Sequence, residues 1–436
     1  MFGGRKSWLE EYLAFRTENP LPLVLPSKGV KIVEEEDTGL HNDMEQATYF
    51  FLQPTGLMYG TTVSLPFPEE IYPKNMVKNS QRRGFLIFTE ALMACMVADR
   101  HFMLEGLEDE EDRFRPALVA AAEFFSGRSL GQEAEQKGIP QKVIEVVEKK
   151  FLDAVYPKIG MFQRNDLLRS GFLFLDLHGA IEWQRKKAMN PDMGSEDLAE
   201  IHQDQLIRRS LLLQLLVEAI RSAGEVKTEE RKMLEFFLKS SGLPEHICLD
   251  IHRGLQEGIE LDHLDFSKQP WLVRRYFLEV ILLAVMVDHE LSPGEEDFLH
   301  KAIEQLELWN GELRQSQSAL EVFMIGHTKD LPFLRKRVSP LNLHASLQRR
   351  ALEALKMNLD RIVNEVKETQ ELSTLLVKAT HTNLSKEEKD KVQEQLMDIL
   401  KTIPALAVFS LPGGAIILPL LIKLLPFNVL PSSFND

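Results

Sequence analysis

Apolar positions recur at three and four residues along most of this chain, and where they fail to do so proline and glycine crowd together. From Phe85 onward the runs FLIFTEALMACMVAD, ALVAAAEFF, KVIEVVEKKFLDAVY and LLRSGFLFLDLHGAIEW carry the helical period. The pattern predicts an all-α chain built as a multi-helix array. Residues 1–80 differ: NPLPLVLPSKG and LQPTGLMYGTTVSLPFPEE hold neither the helical nor the alternating period. They read as an irregular Pro/Gly-rich N-terminal cap with room for one hairpin. A helical domain over 81–190 follows, and the polar stretch 185–197, with Pro191 and Gly194 among charges, is the candidate linker.

Beyond it the chain repeats itself. AGEVKTEERKML, from Ala223 to Leu234, aligns with DHELSPGEEDFL, from Asp288 to Leu299, at a constant offset of 65, which pairs Glu225 with Glu290, Glu230 with Glu295 and Leu234 with Leu299. Each copy follows a very apolar helix and continues into an amphipathic one, so the unit is helix, acidic turn, helix. A degenerate third version lies in MVADRHFMLEGLEDEEDRF, within 81–190.

Two readings of the acidic turns stand side by side. Asp288, Glu290, Glu295 and Glu230 supply the oxygen ligands that a hard cation such as Ca2+ or Mg2+ takes. Ser292, Pro293 and Glu295 also compose a helix N-terminus, with a hydroxyl for a backbone amide, proline in the first turn and acids at the positive end of the dipole, and the cap is the favoured reading. The run Asp288, Glu290, Leu291, Ser292 and Glu295, with its partner Gly224, Glu225, Val226 and Glu230, resembles the acidic turns of the TerB-like (tellurite-resistance) helical domains. The resemblance covers 205–312 and implies a membrane-linked sensing or interaction module. His289 and Ala223 depart from the family's Gly and Asp.

Toward the C-terminus Leu352, Leu355, Leu359, Ile362 and Val366 make one apolar seam, which predicts a long helix over 343–380 packed on a neighbour within the chain. Ser385 and Glu388 form a capping box before a charged amphipathic helix. Then Thr402 to Ile422 carries no charged residue. As one helix this run would extend about 30 Å, the thickness of a bilayer core. Pro412, Gly413 and Gly414 interrupt its centre, so a kinked span, a re-entrant segment and a buried hairpin in a bundle are the three forms open to it.

The segment 384–434 resembles the membrane-entry region of the LETM family, the leucine-zipper and EF-hand transmembrane proteins, in its short bacterial type. Leu384, Ser385 and Glu388 fit the entry helix; Ile403, Pro404, Val408, Phe409 and Pro412 fit the broken span; Leu418, Pro419, Lys423, Leu424, Pro426, Leu430, Pro431, Ser432 and Phe434 fit the exit signature. The likeness implies a LETM-like unit over 340–436, with Pro404, Phe409, Pro412, Gly413, Gly414, Pro419, Lys423, Pro426 and Pro431 as its membrane segment. It also implies two activities, cation/proton transport or its regulation, and ribosome binding or membrane-protein biogenesis. Family members held to exchange cations carry an acid shortly after the central proline, where this chain has Ala415, so no carboxylate is available there to relay protons. In the mitochondrial relatives the ribosome-linked domain follows the Pro-Ser-Thr-Phe signature, and here two residues follow Phe434.

Composition narrows the rest. In 436 residues the hydrophobic share is 44% and the charged share 27%, which is globular, and the length predicts several domains. A formal net charge of −15 argues against general affinity for nucleic acid or anionic lipid, so any such contact has to be local. Cys95 and Cys248 read as buried free thiols in a reducing compartment. Trp8, Glu10 and Glu11 stand where a signal peptide would be apolar. No P-loop, dinucleotide fingerprint, nucleophile elbow, zinc-protease helix or Cys-x-x-Cys occurs, and His178, His246, His252 and His263 are scattered. The expectation is a non-enzymatic scaffold or adaptor without cofactor, on the cytoplasmic face of the inner membrane.

Overall fold

A computed structural model describes residues 7–22, 43–78, 80–103, 110–155, 170–286, 292–327, 330–331, 340–382, 384–403, 406, 409 and 417–424. The protein is all-helical, and no strand occurs among the described residues. Within the N-terminal cap the described residues form α1 (Trp8–Glu18) and α2 (Asp43–Leu52), and no hairpin occurs among them. Ser7 and Glu10 close a capping box on α1, which then buries Leu9 and Tyr12. The proline–glycine stretch after α2 folds into two single 3-10 turns, Gln53–Thr55 and Leu57–Tyr59. Gly60 closes the second at φ 67°, and a Cβ there would sit 2.8 Å from the Gly171 Cα, so this strap lies backbone to backbone on the body.

The body continues through α3 (Lys74–Val77), α4 (Ser80–Met103), α5 (Glu110–Ser126), α6 (Gln132–Lys137), α7 (Gln141–Val155), α8 (Leu173–Met189) and α9 (Ser195–Arg221). It is completed by α10 (Thr228–Ser240), α11 (Glu245–Glu257), α12 (Trp271–Val285), α13 (Pro293–Gln305) and α14 (Asn310–His327). Helix α9 is the hub, packing on α8, α10, α11, α12 and α13. Helix α12, WLVRRYFLEVILLAV, is apolar but for Arg274, Arg275 and Glu279, as suits a helix enclosed by others, and only Arg274 escapes burial. The stretch 185–197 is mostly helix: α8 ends at Met189, α9 starts at Ser195, and Lys187 Nζ donates to the Met193 carbonyl at 2.9 Å across the turn. One continuous apolar cluster runs from Leu9 through Phe88, Trp183, Leu212 and Phe277 to Leu331.

A second, smaller cluster is formed by α15 (Pro340–Met357), α16 (Leu359–Glu368), α17 (Gln370–His381), α18 (Lys386–Thr402) and α19 (Ile417–Leu424). Its floor is α14, which gives Leu320, Phe323 and Met324 to the first cluster and Ala319 and Val322 to the second. The long helix expected over 343–380 is three helices. Asn358 Nδ2 bonds back to the Ala354 carbonyl at 2.9 Å and the helix breaks there, and Thr369, at φ −88° and ψ 89°, breaks it again. The seam still packs within the chain, with Leu355, Ile362 and Val366 fully buried and α16 against α17 and α18.

Candidate functional site

The repeat is visible in the element boundaries. Helices α10 and α13 span Thr228–Ser240 and Pro293–Gln305, the same 13 positions at the offset of 65, and α11 and α14 begin at Glu245 and Asn310, again 65 apart. Leu234 and Leu299 are both buried. The two acidic turns adjoin: a Cβ on Gly294 would fall 2.4 Å from the Ser222 carbonyl oxygen at the end of α9, so the second turn rests directly on the first.

At each turn the glutamate three residues into the helix folds back on its own cap. Glu295 Oε2 accepts from the Ser292 amide at 2.7 Å while Ser292 Oγ accepts from the Glu295 amide at 3.3 Å, a complete capping box with Pro293 in the first turn. Glu230 Oε2 likewise accepts from the Lys227 amide at 2.8 Å. Both carboxylates are buried, and both spend an oxygen on a helix start. Asp288 and Glu290 lie outside the described residues. No group of three or more potential metal ligands gathers among the described ones, and Glu230 with Glu295 does not by itself make a cation site.

The apolar run Thr402 to Ile422 does not form one helix. Helix α18 ends at Thr402, and Ile403 is extended, at φ −103° and ψ 107°, as the residue before Pro404 is biased to be. The next described helix, α19, is eight residues long, about 12 Å, and it packs on α15 and α18. Ile403, Leu406, Phe409, Ile417, Leu418 and Leu421 are buried in the second cluster. Among the described residues no helix is long and apolar enough to cross a membrane. Of the residues expected in the membrane segment, Phe409 is fully buried, Pro419 and Lys423 belong to α19, and Pro404, Pro412, Gly413, Gly414, Pro426 and Pro431 lie outside the described residues.

Sequence reasoning misses a set of buried ionic contacts. Glu279 of α12 is fully enclosed and accepts from Tyr49 Oη at 2.5 Å and Tyr59 Oη at 2.6 Å, while Gln53 bridges Tyr59 Oη and the Ala319 carbonyl of α14. Arg275, also fully enclosed, lies over the Tyr49 ring and donates to Gln315 Oε1 at 2.7 Å. Burial raises the Glu279 carboxyl above its ordinary range, against the opposing pull of Arg275 and of the hydroxyls that donate to it. Glu90 takes Arg16 in a two-pronged pair at 2.7 and 2.8 Å, and Glu321 of α14 accepts from Ser346 Oγ at 2.7 Å and Arg350 Nε at 3.2 Å of α15. Each joins segments distant in sequence, so no local motif announces it.

The scattered histidines separate by burial. His178 is enclosed, with burial pushing it down to about 3, whereas His246, His252 and His263 are exposed. Cys95 is buried and Cys248 half-buried, and both are free thiols.

No family model, curated protein or solved structure matches this chain.

Proposed function

We propose that this protein is a non-enzymatic, membrane-associated scaffold, with a TerB-like helical unit over 205–312 and a LETM-like C-terminal unit over 340–436 as its membrane determinant. The observation that carries the reading is the run Thr402–Ile422, uncharged in a chain that is 27% charged. The adjoining acidic turns and their common offset favour a two-fold helical module, in which Glu230 and Glu295 serve as caps. The packing of α19 on α18 favours a re-entrant form of the apolar run over a spanning one. In that form Ile403, Phe409, Ile417 and Leu421 seat the ends of the run on the bundle, and the proline–glycine centre is the part that meets lipid. The bulk of the chain then stays on the cytoplasmic side. Ala415 in place of an acid speaks for anchoring over proton-coupled exchange.

Fractionation with a carbonate wash tests this. Wild-type protein is expected to stay with the membrane pellet. A charge near the middle of a membrane segment costs about 2.5–3.5 kcal/mol on insertion scales. Ile416→Arg should therefore shift protein to the supernatant while leaving the fold of the body intact by circular dichroism. Phe409→Ala should instead lower stability by about 3–5 kcal/mol, as for any enclosed phenylalanine, with less effect on fractionation. Wild-type protein wholly in the supernatant, with no response to lipid or detergent, would sink the reading.

A further inference from the structure

Two enclosed glutamates of the body stand at the same place in the repeat. Phe88, Glu90 and Asp99 of the degenerate copy align with Phe277, Glu279 and Asp288 at a constant offset of 189, so each glutamate lies inside an apolar helix, α4 or α12, nine residues before the aspartate. Both are fully buried. In the remaining copy the matching residue, 65 positions before Glu279, is Gln214 of α9, which donates to Ser210 Oγ of its own helix at 3.2 Å.

The N-terminal region fills both places. Tyr49 and Tyr59 donate to Glu279. At Glu90, Arg16 of α1 makes its two-pronged pair, Tyr72 Oη donates to Oε2 at 3.3 Å, and Tyr12 lies buried beside the same carboxyl. Each carboxyl thus has two phenols and one guanidinium around it. The guanidinium differs in origin, because α12 carries Arg275 one turn before its glutamate whereas α4 has Leu86 at the matching position, and α1 brings the missing cation.

We propose that Glu90 and Glu279 are equivalent docking sites for a segment that offers phenol and guanidinium donors, and that residues 7–22 and 43–78 of this chain are a clasp that occupies both and shields them from a competing segment. The core itself has no need of a carboxyl at either place. An apolar side chain of similar size packs such a helix as well or better, and burial raises both carboxyls above their ordinary range. What the glutamates supply is selection, since only a segment with donors on the right turns keeps an enclosed carboxyl from being left unpaired. They also make the seat reversible. When it opens, the carboxyl, the phenols and the guanidinium regain hydrogen bonds to water, which a seat made of hydrocarbon cannot do.

The test is hydrogen exchange of the full-length protein, read by mass spectrometry, with peptide binding alongside. Tyr49→Phe together with Tyr59→Phe should lower the protection of α2 by about tenfold or more, and Arg16→Gln should do the same to α1, while α8 and α9 keep theirs. A labelled peptide of residues 43–63 should bind the double variant about tenfold more tightly than the wild type, because its site stands open that much more often.

Equal loss of protection in the clasp and in α8 and α9 would make the glutamates part of one cooperative core and overturn the proposal. Unchanged protection of α1 and α2 would overturn it as well, as would a peptide that binds both proteins alike or binds neither.

Discussion

Glu279 shows what one enclosed carboxyl does for the whole N-terminal strap. Two phenols from Tyr49 and Tyr59 reach it, so residues more than two hundred positions away in sequence are tied to α12 through a single side chain. Its carboxyl is raised chiefly by burial, hence the folded chain keeps the proton to higher pH than the unfolded chain does. The stability it contributes is present in full below the ordinary carboxylate value of 4.5 and is lost as pH rises through the raised value. Glu279→Gln cannot ionise. Its unfolding midpoint should decline less than that of the wild type as pH rises above 4.5, by denaturant titration at each pH. Parallel curves would show that Glu279 titrates alike in the folded and unfolded chain.

At the level of elements, the repeat gives the clearest account of why this chain folds as it does. The same glutamate closes the same cap on α10 and α13, and the same leucine, Leu234 or Leu299, then enters the core. The contact that joins the copies is Gly294 against the Ser222 carbonyl. Alanine is the better helix former by about 1 kcal/mol, so Gly294→Ala would stabilise an isolated α13. Against a backbone oxygen 2.4 Å from its methyl group it should instead destabilise the protein by about 1–3 kcal/mol, read from chemical denaturation. A stabilised variant would show that the two turns stand further apart. The breaks at Asn358 and Thr369 belong to the same scale, because back-bonding and turn geometry there outweigh a seam that by period alone reads as one helix.

For the whole molecule the decisive feature is that two apolar clusters of unequal size both draw on α14. Polar contacts of Gln317 and Glu321 with Ser346 and Arg350 also join α14 to α15. Regions with fewer buried contacts open at lower free energy. Native-state hydrogen exchange at rising denaturant should therefore release the amides of α15, α16 and α18 before those of α8, α9 and α12. Simultaneous release of both sets would mean one cooperative unit. Early opening of the smaller cluster would expose Phe409, Ile417 and Leu421.

The all-helical class, the helix–acidic turn–helix repeat, the capping boxes at Ser292 and Ser385 and the apolar character of 402–422 were all legible along the chain. Each is a matter of period, propensity or a spacing of three residues, and such signals act within one or two turns of backbone. Tertiary structure alone decided where the described residues of the apolar run go. An uncharged segment satisfies a bilayer and a protein core on the same terms, and only the presence of α14, α15 and α18 around Ile403, Phe409 and Ile417 sets the described residues in a core. It alone decided, too, that Glu90, Glu279 and Glu321 are enclosed. The partners that make an enclosed charge tolerable arrive from elsewhere in the chain, at separations no local pattern encodes.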